Sequence, residues 1–159
     1  MRPDGADPPA RPKGRAMRHC LVVAHQTLDS PRLADVMLEE ASRGPCTFHV
    51  VVPVRNRGDG LTYTEAEVRA TAQERLNQAL SGFRMEGFAV DGEVGAPSPV
   101  DAVTDAILRA GPDHFEMVIV STLPHTLSRW LRIDVPTRIL RATGLPVVHV
   151  EAPLRAVAS

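Results

Sequence analysis

The sequence predicts an α/β fold, a three-layer sandwich around a five-stranded, mainly parallel sheet. Wholly apolar runs, such as LVVA at 21–24 and MVIV at 117–120, are typical of strands buried on both faces. Segments with apolar residues at helical spacing lie between these runs, so strand and helix signals alternate five times. Parallel neighbours require crossover connections, and helices in that role cover both faces of the sheet.

The strands are expected where short apolar runs are bounded by turn-forming residues. We place them at 21–24, 48–52, 88–94, 117–120 and 147–150. The dipeptide Asp91-Gly92 is a turn signal, so we expect it to interrupt the third strand.

Each of the first three helices begins with a residue whose hydroxyl can cap it. The capping residues are Ser30, Thr64 and Ser98. Both serines are followed by a first-turn proline, whereas the threonine starts a Thr-x-x-Glu capping box. We expect the last helical stretch, 127–142, to be interrupted or restarted at Pro136 and to end at Gly144.

Length and charge limit the possible classes of protein. The chain has 159 residues, about one domain, and its formal net charge of −1 argues against a nucleic-acid partner. Residues 1–18 carry a net charge of +3 and the remainder −4. We therefore expect a disordered basic tail over 1–17, an α/β domain over 18–152 and a flexible tail over 153–159, with Met17 as an alternative start.

Location and redox state follow from two further features. The sequence has no apolar run of membrane-spanning length, and its opening residues have no signal-peptide core, so we expect a cytoplasmic protein with no membrane partner. Cys20 and Cys46 lack metal-like spacing and are expected to be reduced, packed thiols. The sequence alone leaves a disulfide between them open.

The loops that leave the carboxyl ends of the strands are the expected ligand site of a parallel sheet. The candidates share a polar side chain or a glycine at such an end. They are His25, Gln26 and Thr27 after the first strand, Gly95 after the third, and Ser121, Thr122, His125, Thr126, Ser128 and Arg129 around the loop after the fourth.

Over about residues 19–151, the order of these landmarks resembles the universal stress protein family. The segments that carry the resemblance are LVVAHQTLDS, FHVVVPV, VDGEVGAPSPVDAVTDAI, MVIVSTLP and RILRATGLPVVHV. The resemblance implies an adenine nucleotide alpha hydrolase-like fold with strand order 3-2-1-4-5. It also implies a homodimer through the last strand, at Val147, Val148, His149 and Val150.

Many members of that family bind ATP through a glycine-rich segment after the fourth strand, where backbone N–H groups approach the phosphates. Here no glycine lies between Ser121 and Thr137, and Pro124 removes one N–H donor. His25 stands where the family commonly carries an aspartate. The sequence therefore predicts a protein that is not a standard ATP binder.

Other chemistry is possible at these loops. The hydroxyls from Ser121 to Ser128, together with Arg129, could form a weak site for a phosphate or another small anion. In the order 3-2-1-4-5, His25 and His125 could approach one another, but no third metal ligand is evident and no metal is expected. His49 and His149 lie within strands and are expected to be packed or interfacial.

Together these features favour a non-catalytic binding or regulatory module. We find no G-x-S-x-G elbow and no cysteine with an evident histidine partner, so no catalytic residue is assigned. The alternative is an adenine-nucleotide-binding universal stress protein with an altered phosphate loop. A third alternative is a metal-dependent hydrolase that uses the histidines.

Overall fold

The computed structural model describes residues 17–54, 64–124 and 127–152. Its elements alternate as the sequence predicts. In chain order they are β1 (Arg18–Val23), α1 (Pro31–Ala41), β2 (Cys46–Pro53), α2 (Glu65–Met85), β3 (Ala89–Gly95), α3 (Pro99–Ala110), β4 (Met117–Thr122), α4 (Arg129–Arg132), α5 (Val135–Thr143) and β5 (Val147–Glu151). The predicted tails, 1–17 and 153–159, lie outside the described residues except for Met17.

In the described ranges the five strands form one parallel sheet in the order β3-β2-β1-β4-β5. This confirms the fold class and the strand order. The chain moves outward from β1 to β3, crosses back to β4 and then moves outward to β5. The switch point therefore lies between the paired strands β1 and β4. We call the region beyond their carboxyl ends, where open parallel sheets bind their ligands, the switch-point crevice.

Local capping chemistry determines where the helices begin. The side chains of Ser30, Thr64 and Ser98 each accept a hydrogen bond from a backbone N–H in the first turn, and the box formed by Thr64 and Glu67 is complete. The predicted break in the last helical stretch is confirmed. α4 ends at Arg132, and α5 starts after Asp134, which has a φ of 55°.

One prediction about the strands is wrong. Asp91-Gly92 does not interrupt the third strand, since β3 runs unbroken from Ala89 to Gly95. A Cβ at Gly92 would lie 2.7 Å from the carbonyl oxygen of Val50 and 3.1 Å from the Cδ1 of Leu76. The glycine is there because α2 and β2 pack closely against the strand, not because the chain turns.

The sheet separates two apolar layers. One layer contains Val22, Phe48 and Ile119 under α1 and α2, whereas the other contains Val23 and Val120 under α3 and α5. Alternate residues of a strand face opposite sides, so the central strands need apolar residues at every position. In the described part of the chain, no helix is both long and apolar enough to span a membrane.

Candidate functional site

Two hydroxyls from neighbouring elements meet at the switch-point crevice. Thr27, in the loop after β1, places its Oγ1 2.6 Å from the Oγ of Ser121 near the end of β4. Both side chains are buried, with 3% and 1% of the residue exposed. Because buried hydroxyls need partners, this contact fixes the first loop against β4.

Two further predicted hydroxyls, those of Thr122 and Ser128, are also used within the fold. Thr122 donates to the carbonyl oxygen of Leu123 at 2.9 Å, and its Oγ1 lies 2.8 Å from the Nε2 of His149 on β5. Ser128 is buried and caps α4 by accepting from the backbone N–H of Leu131 at 3.1 Å. These residues shape the crevice by holding β4, β5 and α4 together.

Fewer of the described candidate side chains face solvent around the crevice than are bonded within the fold. Gln26 and Arg129 are exposed, and His25, two residues after the end of β1, is half-buried. His125 and Thr126 lie outside the described residues, so the predicted approach of His25 to His125 stays a prediction. Among the candidates in the described ranges, Arg129 is the one that carries a permanent positive charge.

Gly95 has a packing role at the end of β3. A Cβ at this position would lie 2.9 Å from the Cβ of Ala102 and 2.9 Å from the Cγ1 of Val51. Such contacts are too short for any side chain, so glycine permits α3 to approach the sheet. This close approach is sufficient to explain the residue without a ligand.

β5 lies at one edge of the described sheet and carries the four predicted interface residues. Its inner side bonds to β4, with the Val118 N–H donating to Pro146 and the Ala152 N–H donating to Thr122. Successive backbone N–H groups of a strand point to opposite sides, so the N–H groups of Val147 and His149 point away from β4. The His149 side chain is exposed, and Val147 and Val148 are half-buried.

A second polar cluster, which sequence reasoning missed, lies near the opposite end of the strands. We call it the amino-end groove, a cavity of about 590 Å³ between the first halves of β1–β3 and the end of α3. Its polar lining includes His19, His49, Asp91, Glu93, Arg109 and His114.

Charge pairing dominates this groove. His49 Nδ1 lies 2.6 Å from Asp91 Oδ1, and its Nε2 lies 2.7 Å from Glu93 Oε2. Arg109 donates to the other oxygen of Glu93. Burial acts to raise the pKa of Glu93, but hydrogen bonds and charges from Arg109 and His49 outweigh it and lower that pKa.

A stacked histidine pair lies beside this network. The rings of His19 and His114 are 4.1 Å apart, and His19 Nδ1 lies 2.7 Å from the hydroxyl of Thr47. Burial and then the neighbouring His114 lower the pKa of His19. His49, expected to be packed or interfacial, packs among charged groups of its own chain, whereas an interfacial role stays a prediction.

One signal for this cluster was present in the sequence. His49 on β2 pairs with Asp91 on β3, and Glu93 follows on the same face two residues later. Recognising it requires the strand register, which composition does not provide. Across the described ranges, no group of three or more His, Cys, Asp or Glu side chains is placed to share a metal ion.

The fold is shared with solved universal stress proteins. The chain aligns to the "Structure of universal stress protein from Archaeoglobus fulgidus" with a TM-score of 0.58 and 17% identity, over 84% of this chain and 93% of that one. It aligns to a protein of the universal stress protein family from Burkholderia pseudomallei with a TM-score of 0.51 and 16% identity, over 84% and 96%. No family model matches the chain, and no curated protein matches it significantly.

These likenesses extend over nearly the whole of both solved chains. They show that the chain has the adenine nucleotide alpha hydrolase-like fold of the universal stress proteins. The sequence resemblance is thereby confirmed for the architecture.

Proposed function

We propose that this chain is a non-catalytic, universal-stress-protein-like binding or regulatory module that works in the cytoplasm. Its ligand would be a small anion, held weakly at the switch-point crevice. The shared fold supports a binding role, because open parallel sheets of this strand order bind their ligands beyond the carboxyl ends of the strands at the switch point. The free thiols Cys20 and Cys46, only 3.3 Å apart, are usual in a reducing compartment.

The contact between Thr27 and Ser121 is the observation that carries the non-catalytic role. A nucleophilic serine needs a base within hydrogen-bonding reach to take its proton. The Ser121 hydroxyl instead lies against another hydroxyl, 2.6 Å away, which is a poor base. Ser121 therefore supports the wall of the crevice and does not attack a substrate.

Charge supports an anion as the ligand. Arg129 is exposed at the start of α4, directly after the loop that leaves β4. Its guanidinium can donate two parallel hydrogen bonds to one phosphate or carboxylate. Pro124 lies where a phosphate loop would need a backbone donor, so the binding is expected to be weak.

Thermal stability in the presence of phosphate, AMP or ATP tests this function. A ligand at ten times its Kd contributes about 1.4 kcal/mol, which raises the melting temperature of a domain of this size by about 3–6 °C. We expect Arg129→Gln to lose this rise. Arg132→Gln, an exposed arginine of the same short helix, should keep it.

The alternative, an adenine nucleotide site with an altered phosphate loop, gives a different result. It predicts adenine absorbance in the purified protein. It also predicts that ATP raises the melting temperature far more than phosphate does, and that this rise persists in the Arg129→Gln variant. If no ligand at millimolar concentration shifts the melting temperature, the anion site is rejected.

We also propose that two copies pair through β5. The support is the outward direction of the N–H groups of Val147 and His149, which leaves backbone donors available at the sheet edge. His149→Pro removes one of these donors without breaking a bond to β4, so it should shift the sedimentation mass from dimer to monomer. His149→Ala is the matched control, and an unchanged mass in the proline variant would reject this interface.

A further inference from the structure

Cys20 and Cys46 bring two sulfur atoms together inside the fold. Cys20 lies on β1 and Cys46 begins β2, and their Sγ atoms are 3.3 Å apart with both thiols free. This is a contact between thiols and not a covalent bond. The pair belongs to neither the crevice nor the amino-end groove.

The two thiols differ in solvent exposure, but both are protonated at neutral pH. Cys20 is fully buried, whereas Cys46 is half-buried. Burial raises the pKa of both, and their mutual contact raises that of Cys20 further. Both side chains are therefore thiols at neutral pH, so chemistry that requires a thiolate is slow here.

The register of the strands disfavours a disulfide. Across β1 and β2, Cys20 pairs with Phe48 and Arg18 pairs with Cys46, so the two cysteines are offset by two residues. Two residues of rise across one strand spacing separate the Cα atoms by about 8 Å. A disulfide needs Cα atoms within about 7 Å and would force the strands to move, whereas an atom that bridges both sulfurs requires less displacement.

We propose that Cys20 and Cys46 form a two-thiol binding site for a trivalent arsenical. A substituted arsenical, R–As(OH)₂, reacts with both thiols. Two S–As bonds form, two As–O bonds break, and the two thiol protons leave with the hydroxyls as two water molecules. No oxidant is needed, and arsenic stays trivalent throughout.

Two properties of the site determine which ligand fits it, namely that both thiols are protonated and that it offers two ligating side chains. Divalent metals require deprotonated thiolates and usually four ligands, but the described residues around this pair provide no third metal ligand. The arsenical keeps one organic substituent and needs only two sulfurs. Half-buried Cys46 would react first, after which buried Cys20 closes the ring.

Phenylarsine oxide added to the reduced full-length protein tests the site. We expect one arsenical per chain by intact mass, loss of both reactive thiols and retention of the adduct in excess glutathione. Because the second bond is intramolecular, Cys20→Ser and Cys46→Ser should each bind at least about a hundredfold more weakly. Equal affinity in either single variant and the wild type would overturn the proposal, as would two arsenicals per chain.

If the buried hydroxyl of Cys20→Ser disturbs folding, Cys20→Ala serves as a second variant that lacks the thiol and introduces no polar group. The wild type supplies an independent measurement. Its melting temperature should rise with added arsenical and reach a plateau at one equivalent, and prior alkylation of Cys46 should abolish the rise. A rise that continues beyond one equivalent, or that survives alkylation, contradicts the two-thiol site.

Discussion

Thr27 and Ser121 meet where the loop after β1 contacts β4, with their hydroxyl oxygens 2.6 Å apart and both side chains buried. They are 94 residues apart in sequence, so the contact joins the two halves of the sheet at its switch point.

Removing one of these hydroxyls should cost more than removing both. Ser121→Ala leaves the Thr27 hydroxyl buried without this partner, at a cost of about 1–3 kcal/mol in the free energy of unfolding. The double variant, Thr27→Val with Ser121→Ala, should recover part of that loss. Urea denaturation of the four proteins gives the coupling energy, and strictly additive single effects would contradict a direct interaction.

Replacement of two glycines by alanine should change the free energy of unfolding in opposite directions. Gly92→Ala places a Cβ 2.7 Å from the Val50 carbonyl oxygen, and we expect a loss of about 1–3 kcal/mol from overpacking. Gly82, within α2, has nothing within 4 Å of the corresponding Cβ. Gly82→Ala should stabilise the protein by about 0.5–1 kcal/mol. Chemical denaturation measures both, and a neutral Gly92→Ala would refute the close approach.

The carboxylate of Glu93 should make stability depend on acidity. Its pKa is lowered in the fold, so its contribution is present above the ordinary glutamate pKa of about 4.3 and is lost as the pH falls through the lowered value. The difference in unfolding free energy between wild type and Glu93→Gln should therefore shrink below about pH 4.3.

Glu74→Gln, at an exposed position on α2, is the control for loss of one carboxylate. Urea denaturation across this pH range compares the two variants with the wild type. A wild-type advantage over Glu93→Gln that grows on acidification would contradict the paired carboxylate.

His19 should take up its proton below the ordinary histidine pKa of about 6.5, because burial and the stacked His114 lower its pKa. The unfolded chain is protonated first, so stability falls as the pH drops from about 6.5 to the folded value.

An NMR titration of the His19 ring measures the pKa of this side chain in the folded protein. His114→Gln should raise the pKa, since it removes a like charge, whereas Glu116→Gln should lower it further, since Glu116 acts to raise it. The same direction of change in both variants would contradict the electrostatic account.

The architecture could be predicted from local signals because each element carries its own. The apolar runs gave β1 and β4, and the capping serines placed the first turns of α1 and α3. Gly92 was misread because a glycine that permits close packing and one that permits a turn have the same local sequence. They are distinguished by the positions of Val50 on the paired strand and of Leu76 on α2, which the local sequence around Gly92 does not give.

The site could be predicted only in part. That Thr27 and Ser121 both lie at the crevice followed from the strand order, but their bond did not, since it depends on loop geometry. The pairing of His49 with Asp91 and the contact of Cys20 with Cys46 depend on the register of neighbouring strands. Register is set by the packing of whole faces, which no single segment encodes.

The central place of β1 has a consequence for slow motions of the molecule. Leu21, Val22 and Val23 are completely buried, with paired strands on both sides. In deuterated water, we expect their backbone amide hydrogens to exchange only when the whole domain unfolds. The slowest of them therefore report the free energy of global unfolding in native buffer, whereas amides of the edge strands β3 and β5 exchange through smaller, local openings.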